Sequence, residues 1–232
     1  QVVAGPFAPS PLTPPSTTGR PSVSPEEAFS DPAFATGNAT HAAFVPSGSR
    51  SVNKVALMFH GDGDRVTTQG AVDVLARAGV TASIFVVGRW LVEQPTVAKL
   101  LTDAGHELGN HSYSHPDFRR ASAAVMQTEI ERCRDILVRQ TKSPGIGLLA
   151  PEVDLPVPTI LALAKSAGYG RVIGWDVDPR DWSDPGPDAF LPLVPLGPLP
   201  GSLLPHTLLP PATVGPLAPV LPYLPSSALP PP

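Results

Sequence analysis

Short apolar runs alternate with longer stretches of helical spacing from about residue 53 to residue 177. The run from Lys54 to Phe59 (Val55-Ala56-Leu57-Met58-Phe59) has the length of a buried strand. Thr68 then caps a helix through Ala78, with Val72, Leu75 and Ala76 on one face and Gly79 ending it. Thr81–Val87 is a second strand, and Arg89–Ala104 is helical, interrupted by Pro95. Glu107–Asn110 is a third, short strand. A long helix over Ser122–Gln140 turns Val125, Met126, Ile130, Cys133, Ile136 and Leu137 inward. Gly147–Ala150 (strand), Pro158–Ala167 (helix) and Gly170–Val177 (strand) continue the pattern. Strands alternating with helices predict a parallel sheet with right-handed crossovers. The fold class is α/β, and a single α/β barrel is ordinary for a chain of 232 residues. Polar residues gather just after the strands, at the edge where such barrels place their sites.

The flanks break this rhythm. Residues 1–50 are rich in Pro, Ser, Thr, Gly and Ala without periodicity, which predicts an N-terminal extension ahead of a domain over residues 51–232. Phe7, Phe29, Phe34 and Phe44 could instead anchor that segment as a strap. Residues 191–232 hold 14 of the 32 prolines and no charged residue, so an ordinary helix is excluded there. Pro200 to Thr207 nevertheless has the outline of a strand ending at His206.

Composition narrows the function classes. A net charge of -4 gives no electrostatic case for nucleic acid or an anionic membrane. No apolar run is long and proline-free enough to span a bilayer. The one cysteine, Cys133, has no intrachain partner and reads as a small buried residue. The start at Gln1 suits a processed secreted protein or a fragment alike, and the proline-rich leader suits a secreted or envelope setting.

The chemistry concentrates in Gly105-His106-Glu107-Leu108-Gly109-Asn110-His111-Ser112-Tyr113-Ser114-His115. On a helical turn, positions i and i+4 share a face, so His111 and His115 could both reach one ion. A catalytic zinc takes three protein ligands and leaves a place for water. Asp62 and Asp64, in the polar turn after the first strand, are the candidates for the third, unless they are only turn formers. A metal of this kind polarises a carbonyl and lowers the pKa of its water from ~15.7 towards ~7. A carboxylate serves as base, and His206 is placed to protonate the leaving group, with Asp181 or Asp178 orienting it. Trp182 could wall the pocket, while Trp175 reads as core.

These residues resemble the polysaccharide deacetylases of carbohydrate esterase family 4, the NodB homology domain, over about residues 53–210. His111-Ser112-Tyr113-Ser114-His115 matches the family's H-[ST]-x-x-H metal motif. Asp178-Pro179-Arg180-Asp181-Trp182 is similar to its D-x-x-D-W motif, and Gly201 to His206 to its last strand. The resemblance implies a distorted (β/α) barrel with parallel strands and outer helices, and a secreted or envelope-associated bacterial hydrolase that removes acetyl groups from a polysaccharide: peptidoglycan, chitin or acetylated xylan. It implies His111, His115 and Asp64 as metal ligands, Asp62 as base, His206 as acid oriented by Asp181, and the Tyr113 backbone N–H at the oxyanion. The ion is zinc, with cobalt or another divalent metal compatible with the same ligands. Two positions depart from the pattern. The family's T-F-D-D-G reads Met58-Phe59-His60-Gly61-Asp62 here, putting His60 at the base position and Gly61 at the metal position. Ala150 also replaces the arginine expected before Pro151. The competing expectation is a carbohydrate-binding barrel that has lost turnover.

Overall fold

The computed structural model describes residues 37–48, 50, 56–153, 156–176 and 202–207. Its elements run β1 (Ala43–Val45), β2 (Ala56–Gly61), α1 (Arg65–Ala78), β3 (Ser83–Val86), α2 (Gly88–Glu93), α3 (Val97–Asp103) and β4 (Glu107–Asn110). There follow α4 (Ala123–Thr141), β5 (Leu148–Leu149), α5 (Pro158–Ser166), β6 (Arg171–Ile173) and β7 (Leu203–Thr207). The seven strands form one sheet in the order β1-β6-β5-β4-β3-β2-β7, and every pairing is parallel.

The alternation of side chains along each strand builds two cores. Leu57, Phe59, Ile84 and Val86 face outward and pack with Val72 and Leu75 of α1, Trp90 and Leu91 of α2, and Cys133, Ile136 and Leu137 of α4. Ala56, Met58, Phe85, Leu149, Ile173 and Leu203 face the other way and meet in a single cluster. That cluster joins β6 to β7, which are separated by four strands in the sheet order, so the sheet must curl. Asp176, three residues past β6, completes the curl. Its carboxylate accepts from the Leu203 N–H (2.8 Å) and the Ser202 hydroxyl (3.0 Å), and it pairs with Arg50 at 2.6 Å. The architecture is therefore the parallel sheet with outer helices that the chain pattern predicts, curled into the distorted barrel that the resemblance implies.

Several boundaries moved for identifiable reasons. Ala43–Val45 lies within the stretch assigned to the extension, yet it pairs with β6 and buries Phe44, so the sheet starts before residue 51. The first helix begins at Arg65, because Asp64 and not Thr68 is its N-cap. The helix expected over 89–104 is two: Pro95 bars the residue before it from helical geometry, and Gln94 sits at φ -128, ψ 73. Strands β5 and β6 are ladder-paired over two and three residues only.

Phe85 fills the barrel interior by lying over Gly109, its register partner. A Cβ on Gly109 would stand 2.4 Å from the buried ring. Gly109→Ala is expected to cost about 1–3 kcal/mol by overpacking, read as a lower midpoint with unchanged slope in denaturant unfolding.

Candidate metal centre at the barrel mouth

His111 and His115 do not lie on a helix. They belong to the irregular loop that follows β4, where Ser112 (φ 66) and His115 (φ 59) take left-handed conformations. Side chains over-determine that backbone. Buried Asn110 accepts from the Ser112 N–H (2.8 Å) and donates to the Ile130 carbonyl and the Tyr169 hydroxyl. The Ser112 hydroxyl accepts from the His115 N–H at 3.0 Å. Glu129, projecting from α4, accepts from the N–H groups of Tyr113 (3.0 Å) and Ser114 (2.6 Å) and from the Ser114 hydroxyl (2.9 Å). The carbonyls of Ser112 and Tyr113 in turn take the first two N–H groups of α2.

The loop brings the two imidazoles together, with ring centroids 4.6 Å apart at 66°. His111 is 2% exposed, and its Nδ1 lies 2.8 Å from the Leu149 carbonyl. A carbonyl only accepts, so Nδ1 carries the proton and Nε2 the lone pair. That Nε2 is buried without a hydrogen-bond partner. Burial holds His111 well below the ordinary histidine range, reinforced by the neighbouring His60 and His115 and opposed by the Leu149 carbonyl. A neutral imidazole with an oriented, unsatisfied lone pair is what a borderline metal such as zinc or cobalt needs from a histidine.

The other expected site residues fare differently. Asp64 is exposed at the start of α1, where one carboxylate oxygen accepts from the Thr67 N–H (2.8 Å) and the other from its hydroxyl (2.7 Å). Those two bonds, the backbone one first, lower its pKa. Asp64 is a helix cap here. Asp64→Ala is expected to lower the melting temperature by a few degrees while Asp64→Ser does not, as measured by circular dichroism. Asp62 stands 3.9 Å from Arg89. Among the described residues, no three His, Cys, Asp or Glu side chains are arranged to hold a metal ion. The Tyr113 N–H, expected at an oxyanion, already donates to Glu129. Asp178, Asp181 and Trp182 lie outside the described residues. The backbone register pairs His206 with Phe59 and Thr207 with His60. Trp175 packs against the inner cluster, as expected of core.

Sequence reasoning missed Glu129. The signal was available: a carboxylate between Met126 and Ile130 on the apolar stripe of α4 needs buried donors. It also gave no role to His60, whose ring centroid lies 5.0 Å from that of His111. Cys133, buried against the Val86 carbonyl, has its thiol pushed up to about 12 by burial, consistent with a packing role.

Residues 47–172 match the polysaccharide deacetylase family model. A chitooligosaccharide deacetylase of Sinorhizobium fredii is 31% identical over 69% of this chain and 74% of its own. A solved peptidoglycan N-acetylglucosamine deacetylase shares the fold with a TM-score of 0.76 at 24% identity, over 82% of this chain and 92% of that one. A family 4 carbohydrate esterase pseudoenzyme from Bacillus anthracis superposes with a TM-score of 0.75 at 23% identity, covering 81% and 67% of the two chains. With the family model covering more than half of its length and its parallel barrel superposing on solved members, the chain belongs to the polysaccharide deacetylases, carbohydrate esterase family 4.

Proposed function

We propose that the protein is a divalent-metal-dependent hydrolase that removes acetyl groups from a polymer of N-acetylated sugars, a chitooligosaccharide or peptidoglycan, in a bacterial envelope or secreted setting. One observation carries the reading: His111 and His115 meet at the C-terminal end of β4, with the His111 tautomer set by Leu149 and its Nε2 otherwise unpartnered. These two residues would hold the ion. When bound, it supplies Lewis acidity towards the acetyl carbonyl and a water of lowered pKa. The chain's own contribution is placement. Asn110, Ser112 and Glu129 hold the histidine loop rigid, and the Leu149 carbonyl keeps the His111 proton on Nδ1. Asp62, in the turn after β2, remains the proposed base, and His206, with Asp181, the proposed acid that protonates the leaving amine. The test is acetate release from chitooligosaccharide and from peptidoglycan, with added zinc or cobalt and with chelator. Release that depends on metal supports the reading, and none from either polymer at full metal occupancy overturns it.

A second reading is a glycan-binding barrel without turnover. Three features favour it: Asp64 is engaged as a helix cap, Asp62 faces Arg89, and Ala150 is a fully buried apolar residue where the family pattern has arginine. It expects glycan binding that survives chelation, with no acetate released.

A further inference from the structure

The histidine pair needs a third protein donor, and both carboxylates nearest in sequence are engaged elsewhere. His60 is the residue best placed to supply it. Ala56 and Met58 point into the barrel, and His60 follows them at the same parity on β2, at the strand's C-terminal end. Its ring stands 5.0 Å from His111 at 70°, and His111 stands 4.6 Å from His115 at 66°. Two imidazoles bound to one tetrahedral ion through nitrogens at about 2.1 Å have ring centres roughly 5 Å apart. Both pairs therefore show ligand-pair spacing. Edge-to-face packing alone also gives such distances. What separates the two explanations is the His111 Nε2, a buried acceptor with no hydrogen-bond partner. Packed rings alone leave that lone pair unsatisfied, whereas a shared ion satisfies it.

We infer that His60 is the third protein ligand of this site, so that the chain holds its metal with His60, His111 and His115 and no carboxylate. The inference rests on the reading that His111 and His115 bind a divalent ion. The rings meet pairwise through His111 and do not yet form a three-donor cluster, so binding requires a side-chain torsion of His60 or His115 to turn. Three neutral imidazoles leave the full dipositive charge on the ion. They also select borderline metals, zinc, cobalt or copper, over magnesium, calcium and manganese, which prefer oxygen donors.

The experiment is a cobalt(II) titration of the full chain, followed by visible absorption, on the wild type and on His60→Ala, His60→Gln, His60→Cys, Asp64→Ser, Asp62→Asn and His111→Ala. Thermal melts establish that each variant folds, and His60→Gln, which keeps the volume, covers failure of His60→Ala. The expected result is a loss of affinity of at least about tenfold in His60→Ala and His60→Gln, with Asp64→Ser and Asp62→Asn within about threefold of wild type. In His60→Cys a thiolate-to-cobalt charge-transfer band appears in the near ultraviolet, a signature that only direct ligation gives. Cobalt binding that is lost in His111→Ala but unaffected in the His60 variants overturns the assignment of His60 alone. Loss of binding in Asp64→Ser or Asp62→Asn with His60 indifferent assigns the third ligand to that carboxylate and overturns it equally. No cobalt binding by the folded wild type overturns the underlying metal reading, and this inference with it.

Discussion

His111→Ala is expected to abolish metal-dependent acetate release and to weaken metal binding by more than about a hundredfold. Changes to groups that merely orient a metal ligand already cost ~10–100-fold, and His111 is the ligand itself in the proposed site. The substitution also touches the fold. It leaves the Leu149 carbonyl without its donor inside the barrel and opens a small void beside His60 and His115. An orphaned buried acceptor costs about 1–3 kcal/mol, so the variant should remain folded with a lower melting temperature. His115→Ala separates the two effects, because His115 is only half-buried. It should lose metal and activity with little change in stability. The measurements are acetate release, metal content after dialysis, and thermal melts on all three proteins. Full activity in His111→Ala would remove the centre from the proposed site.

The second large effect is at Glu129. One carboxylate accepts two backbone N–H groups and a hydroxyl from the loop that carries both histidines. Glu129→Ala strands those donors in a partly buried place, at a cost of about 2–4 kcal/mol. For a domain of this size that corresponds to a fall in melting temperature of roughly 10 °C. The loop would also lose what holds Ser112 and His115 in left-handed conformations, so metal affinity should fall together with stability. Glu129→Gln is the informative partner. Its amide oxygen can accept from both N–H groups, and its NH₂ can donate to the Ser114 hydroxyl, so most of both losses should be recovered. Equal damage by the two variants would mean that the negative charge matters and not the hydrogen-bond count. Chemical denaturation and a metal titration on each variant decide between them.

The sequence was legible wherever periodicity governs structure. The apolar runs ending at Phe59, Val87 and Asn110 and the stripe of α4 led to the right elements in the right order, because burial on two faces of a curled sheet dictates those letters. Strand β1 was hidden. Ala43-Phe44-Val45 is three residues among prolines, serines and glycines, and its ladder to β6 is a tertiary fact. The histidine pair was found by its spacing, although the helical argument behind that spacing does not apply. The loop works because Ser112 and His115 take positive φ, which no period encodes. The role of Asp64 was ambiguous for a chemical reason. An aspartate between a strand and a helix can cap the helix or ligate a metal, and it is the position of Thr67 that shows the cap.

The bonds from Asp176 to Ser202, Leu203 and Arg50 have a mechanical meaning. Ladders join the strands in turn from β1 to β7, whereas β6 and β7, which share no ladder among the described residues, are linked through the Asp176 carboxylate and the apolar side chains of the inner cluster. That junction is a latch on a sprung hoop. Local unfolding is favoured where few bonds must break together, so early opening is expected at the Asp176 junction. Among the described residues β7 is laddered only to β2, so opening at this junction would leave it held by that strand.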